Sequence, residues 1–89
     1  MRVRTAIEEK LTAALSPEQL DVIDNSAQHA GHAGASPEGE SHFAVTVVST
    51  AFEGKNRVQR QRMVYAALAE EMAGRIHALE LKTLTPGEA

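Results

Sequence analysis

Imidazole is the side chain with the most chemistry in this sequence. There are four histidines, His29, His32, His42 and His77, and no cysteine. The missing thiols exclude a thiolate nucleophile, a thiolate metal ligand and a CxxC redox pair. Soft-metal chemistry would have to use histidine or take sulfur from a partner. His29 and His32 stand in a His-Ala-Gly-His run whose neighbours are too small to pack an imidazole. Imidazole is a common ligand of borderline metals, and glycine neighbours let it turn toward a site. Two histidines make an incomplete zinc set, and solvated loop histidines are the plainer reading of the spacing. His77 lies in Ile76-His77-Ala78-Leu79, whose apolar neighbours predict partial burial and a hydrogen-bonded structural role. His42 precedes an apolar run and reads as the residue that opens a strand.

The second candidate chemistry is electrostatic. Lys55, Arg57, Arg60 and Arg62 put four of the nine basic residues in one short stretch. A turn at Gly54-Lys55 leading into a basic helix can touch phosphate. No aromatic stacking residue is interleaved, however, and Glu70 and Glu71 follow. A solvated helix face and a docking surface for an acidic partner compete with the nucleic-acid reading. The formal net charge of −3 argues against a chain whose main task is coating nucleic acid. The sequence has no nucleophile elbow, Walker loop, GxGxxG or HExxH, so an enzyme is not expected.

Elements must position these groups, and 89 residues allow one domain, 1–89, with one core. With only Phe43, Phe52 and Tyr65 as aromatics, that core must be aliphatic. Val3, Ile7, Leu11, Ala14 and Leu15 recur at helical spacing, predicting a helix over 3–15 that Ser16-Pro17 ends. Residues 19–26 read as a strand, with Leu20 and Val22 on one side. Residues 27–40 are rich in Gly and Ala and aperiodic, a loop longer than most in compact domains. Residues 41–50 form the clearest strand, with Phe43, Val45 and Val47 on one face, expected to pair antiparallel with the first. Phe52-Glu53-Gly54-Lys55-Asn56 makes the next turn. Val64, Leu68 and Met72 recur every four residues, with Tyr65 and Ala69 alongside, over 57–75. This is one helix or two, with Gly74 as a break or an end. Leu79 and Leu81 alternate with Glu80 and Lys82 in a third strand near 78–84.

The expected fold is therefore α/β of the α+β kind, in the order αββα(α)β, a three-stranded sheet covered by helices on one face. No apolar run approaches the roughly 20 residues of a membrane helix. Met1-Arg2-Val3-Arg4 is not followed by an apolar stretch of signal-peptide type. A cytoplasmic protein without membrane association is the expectation.

Ser41-His42-Phe43, Val45 to Ser49, Phe52-Glu53-Gly54-Lys55, Val58 to Tyr65 and Ile76-His77-Ala78-Leu79 form an ordered set. In order and spacing it resembles the signature of the BolA family. Arg60-Gln61-Arg62 is similar to that family's Arg-His-Arg motif except at the centre, where Gln61 departs from it. The resemblance covers nearly the whole chain and implies a fold related to the class II KH domain. It also implies a non-catalytic partner of a monothiol glutaredoxin, the two sharing a [2Fe–2S] cluster with glutathione. Some members are described as DNA-binding transcriptional regulators, which would use Lys55, Arg57, Arg60 and Arg62 here. By the same resemblance His77 takes the place of a cluster ligand, and His29 that of the second ligand, with His32 as its alternative. Histidine can replace cysteine on one iron of such a cluster, as in Rieske centres, so a cysteine-free chain can take part. Oligomeric state is left open, a homodimer included.

Overall fold

The computed structural model describes residues 3–24, 42–74 and 76–89. The element order is α1 (Val3–Leu15), β1 (Gln19–Asp24), β2 (His42–Val48), α2 (Arg57–Ala67), α3 (Ala69–Gly74) and β3 (Ala78–Leu84), with a 3-10 turn at Thr50–Phe52. The predicted loop at 27–40, and with it His29 and His32, lies outside the described residues, as do the last two residues of the predicted first strand.

The four-residue repeat in α1 sets its buried face, since Val3, Ile7, Leu11 and Leu15 are all buried. Ala14, counted into that pattern from sequence, is exposed. The helix stops at Ser16, which has φ 44° and donates its N–H to the Thr12 carbonyl at 3.1 Å. This is a left-handed helix end, not the extended residue that a following proline favours. The buried Ser49 then closes the junction. Its hydroxyl donates to the Leu15 carbonyl at 2.6 Å and accepts from the Ala51 N–H at 3.1 Å. A helix-end carbonyl that would otherwise be orphaned is thereby satisfied.

The sheet order is β1-β2-β3. β1 and β2 are antiparallel, running from Gln19 opposite Val48 to Asp24 opposite Phe43. β2 and β3 are parallel, from His42 beside Ala78 to Val48 beside Leu84. A parallel step needs a long crossover, which the 3-10 turn, α2 and α3 provide. Val22, Phe43, Val45 and Val47 point toward the helices and join Ile7, Leu11, Phe52, Val64, Leu68 and Ile76 in one core. On the other face Asp21, Ile23, Glu80 and Lys82 are exposed, so the helices cover one face of a mixed sheet.

The stretch predicted as one helix or two is two. The break falls at Leu68, not at Gly74, which ends α3. Leu68 leaves helical geometry at φ −106°, ψ 21° yet stays fully buried. Its N–H still bonds the Val64 carbonyl at 3.0 Å. Glu71, at the start of α3, holds Lys10 of α1 at 2.8 Å. This contact raises the Lys10 pKa above its ordinary 10.5, with the Glu71 hydrogen bond as the main cause. Tyr65 and Ala69, placed beside the core stripe from sequence, are exposed.

Candidate metal centre

His42 is the first residue of β2, and His77 immediately precedes β3. Parallel pairing of His42 with Ala78 brings the two together at one end of the sheet. Their ring centroids are 6.1 Å apart and the rings meet edge to face at 78°. Each is set by a buried neighbour. Phe43 follows His42 at 1% exposure, and Ile76 precedes His77 at 5%. The Ile76 N–H also bonds the Glu71 carbonyl at 2.9 Å as the chain leaves α3.

The partial burial expected of His77 is overturned, because its side chain is exposed. The apolar neighbours misled because Ile76 turns into the core, leaving the next residue outward. Sequence reading passed over His42 as a strand opener, and the structure puts it beside His77. Register was the missing signal, since nothing local to residue 42 shows which residue its strand will meet. Among the described residues no group of three or more His, Cys, Asp or Glu is arranged to hold a metal. A metal atom on this pair would therefore need donors from the loop or from another molecule.

The basic run lies at the other end of the sheet's crossover. Glu53 (φ −63°, ψ 135°) and Gly54 (φ 76°) with the Lys55 N–H to Phe52 carbonyl bond of 3.1 Å make a type II turn. A Cβ on Gly54 would meet nothing within 4 Å, so the positive φ, not crowding, favours glycine there. Asn56 and Gln59 form a capping box that starts α2. Lys55, Arg57 and Arg62 are exposed.

Arg60 is placed differently, with a side chain 13% exposed. It donates to the carbonyls of Lys55 at 2.9 Å and Thr83 at 3.2 Å and to the Glu88 carboxylate at 2.7 Å. Its guanidinium also lies 5.9 Å from the Phe52 ring centroid. This hydrogen bond from Arg60, helped by the Thr85 N–H, holds the Glu88 carboxyl down at about 2, from an ordinary 4.5.

The fold and this corner define a small α+β domain with a histidine pair at one end of its sheet and a basic turn at the crossover. The family model described as BolA-like protein matches residues 11–88, and the chain belongs to the BolA family. It is 48% identical over 86 residues to human BolA-like protein 1, covering 97% of this chain and 60% of that protein. The chain thus spans less than two thirds of that relative's length. It is 47% identical over 85 residues to the DNA-binding transcriptional regulator BolA of Escherichia coli, covering 96% of this chain and 77% of that one. Among solved structures, the BolA domain of SufE1 from Arabidopsis thaliana matches with a TM-score of 0.85 and 43% identity, over 97% of this chain and 94% of that one.

Proposed function

We propose that this chain is a non-catalytic, cytoplasmic partner of a monothiol glutaredoxin, sharing a [2Fe–2S] cluster with it for iron–sulfur trafficking or iron regulation. The observation that carries the reading is the exposed imidazole of His77 at the start of β3 in a cysteine-free chain of the BolA family. The donor chemistry fits a shared cluster. This chain has histidine but no thiolate to offer, and the glutaredoxin and its glutathione would supply the thiolates. His77 would be one ligand and the loop residue His29 the second, with His32 as its alternative. Mixed histidine and thiolate ligation raises the reduction potential of such a cluster relative to all-cysteine ligation. The chain's own part is to fix one imidazole between the buried Ile76 and the ladder of β3, and to leave it outward for a partner.

The test mixes this protein with a monothiol glutaredoxin, glutathione, iron and sulfide, and records visible circular dichroism for the wild type and for His77→Ala. The expected spectrum differs from that of glutaredoxin alone and reverts to it in the variant. A wild-type spectrum identical to that of glutaredoxin alone would remove the metal role.

A second reading is favoured by one finding, the name of the Escherichia coli relative as a DNA-binding transcriptional regulator. Lys55, Arg57 and Arg62 around the type II turn are the exposed cations for it, whereas Arg60 already holds protein acceptors. Binding through the three should weaken with salt, and each substitution to Ala should reduce the salt slope by about one unit.

A further inference from the structure

We infer that the open face of the sheet docks onto the same face of a second copy of this chain, about a two-fold axis running along β2. Ile23 of each copy enters a trough between β2 and β3 of the other, and Asp21 of each meets Lys82 of the other. This pairing is independent of the proposed function.

The first observation is a parallel strand pair covered on one side only. Parallel sheets are ordinarily packed on both faces. Here the helices cover one face of the β2–β3 pair, and Ile23, Asp21, Glu80 and Lys82 stand exposed on the other. Ile23 is 58% exposed, more than any other large hydrophobic among the described residues. The second observation is a knob and a hole on opposite sides of β2. Ile23 lies on β1 opposite Ala44, and Ala44 lies beside Glu80. A shallow trough between β2 and β3 is lined by Ala44, Val45, Thr46, Glu80, Leu81 and Lys82. Its volume is about 230 Å³. An engineered cavity of about 150 Å³ takes a benzene molecule, so a branched aliphatic side chain fits. The third observation is charge. Asp21 pairs with Thr46 and Thr46 with Lys82, so a carboxylate and an ammonium share one row of the sheet. Two strand spacings separate them by about 10 Å, too far for an ion pair within one copy. Lys82 holds no ion pair among the described residues. The Asp21 carboxylate accepts a 3.3 Å bond from the exposed Gln19 side chain, which leaves it open to a cation.

One operation satisfies the knob, the hole and both charges. A two-fold axis along β2 lays β1 of one copy over β3 of the other at the same height. Each Ile23 then faces a trough and each Asp21 faces a Lys82, a self-complementary contact. The strands stay aligned, as in sheets packed face to face about 10 Å apart. The face is small, on the order of 300 Å² per copy from its strand spacings, against roughly 800 Å² per partner in a standard interface. The dimer is therefore weak and reversible. The competing reading is a sheet face that simply meets water.

The test is a dilution series of the full chain from the millimolar range downward, without metal or glutaredoxin. Sedimentation equilibrium is expected to show the mean mass rising from one chain toward two. Amide shifts should move with concentration at Ile23, Asp21, Ala44, Thr46 and Lys82. Ile23→Lys and Lys82→Asp, both on the exposed face, should each weaken association at least about tenfold. The double variant Asp21→Lys/Lys82→Asp should return to within about threefold of wild type, because the swap restores both pairs. A mass of one chain throughout would overturn the inference. So would a dimer whose shifts fall on α2 or α1, or one that the charge swap leaves as weak as Lys82→Asp. The wild-type shifts map the contact without any variant, so a misfolded variant does not block the test.

Discussion

The two ends of β3 are built on opposite plans. At its C-terminal end the protein meets its own needs. The Ser49 N–H bonds the Leu84 carbonyl at 2.9 Å, Arg60 reaches the Thr83 carbonyl, and Glu88 accepts from both Arg60 and the Thr85 N–H. At its N-terminal end His77 is exposed, with the His42 ring 6.1 Å away and the buried Ile76 just before it. The strand therefore has one end whose side chains are committed to holding the fold and another that presents the exposed imidazole of His77. Polar groups that find partners inside contribute stability and lose availability. A site for an outside ligand has to be kept out of such networks.

The contrast is broken most sharply at Ser49. Its hydroxyl is fully buried and serves two backbone groups at the junction of α1 and the 3-10 turn. Ser49→Ala leaves the Leu15 carbonyl and the Ala51 N–H without that partner. The expected loss is about 1–3 kcal/mol, read as a lower urea midpoint at unchanged slope. His77→Ala at the other end should stay within about 0.5 kcal/mol of wild type in the same measurement, as an exposed substitution usually does. Equal losses at both ends would remove the distinction. A smaller effect is expected at Arg60. Arg60→Ala gives up two carbonyl hydrogen bonds and the packing on Phe52, about 1–2 kcal/mol. If Arg60 instead faced DNA, Arg60→Ala would lower the salt slope of DNA binding as much as Arg62→Ala does. The committed geometry predicts that Arg62→Ala has the larger effect on slope and the smaller effect on stability.

Much of the first plan's framework was legible from the sequence, and less of the second. The four-residue repeat of Val3, Ile7, Leu11 and Leu15 gave α1 its limits, and the alternation around Leu79 and Leu81 located β3. Both are local periodicities tied to burial on one face. The break at Leu68 was not legible, because no proline or glycine stands there and the residue continues the core stripe on either side. The Arg60 network joins residues 23 and 28 positions apart, so the arginine looked like one more cation in a basic run. At the site, His77 drew attention through its family resemblance, but its exposure did not follow from its apolar neighbours. His42 was visible as a strand opener, yet its nearness to His77 depends on the parallel register between β2 and β3, which no local pattern encodes.

The smallest effect, and the most specific to the committed end, is the acid response of Glu88. Arg60 lies 2.7 Å from its carboxylate, which also accepts from the Thr85 N–H at 2.7 Å, and the carboxyl is held down at about 2 from an ordinary 4.5. A carboxyl whose pKa is lower in the folded chain contributes stability that is fully present above its unfolded value. That contribution is lost as pH falls through the folded value. The decline should thus begin near pH 4.5 and run toward pH 2, and above pH 5 the group should add no slope. Because Glu88 is well solvated, the step is small and salt weakens it. Carbon-detected titration of the Glu88 carboxyl should give the low midpoint in wild type and a midpoint raised toward the ordinary value in Arg60→Ala, where the Thr85 N–H bond remains. Glu88→Gln should flatten the acid limb of the stability curve by the same small step. A normal midpoint in the wild type would mean that Arg60 and Glu88 do not hold each other in solution, and the C-terminal end of β3 would then owe its order to Ser49, the Arg60 bond to the Thr83 carbonyl and the ladder.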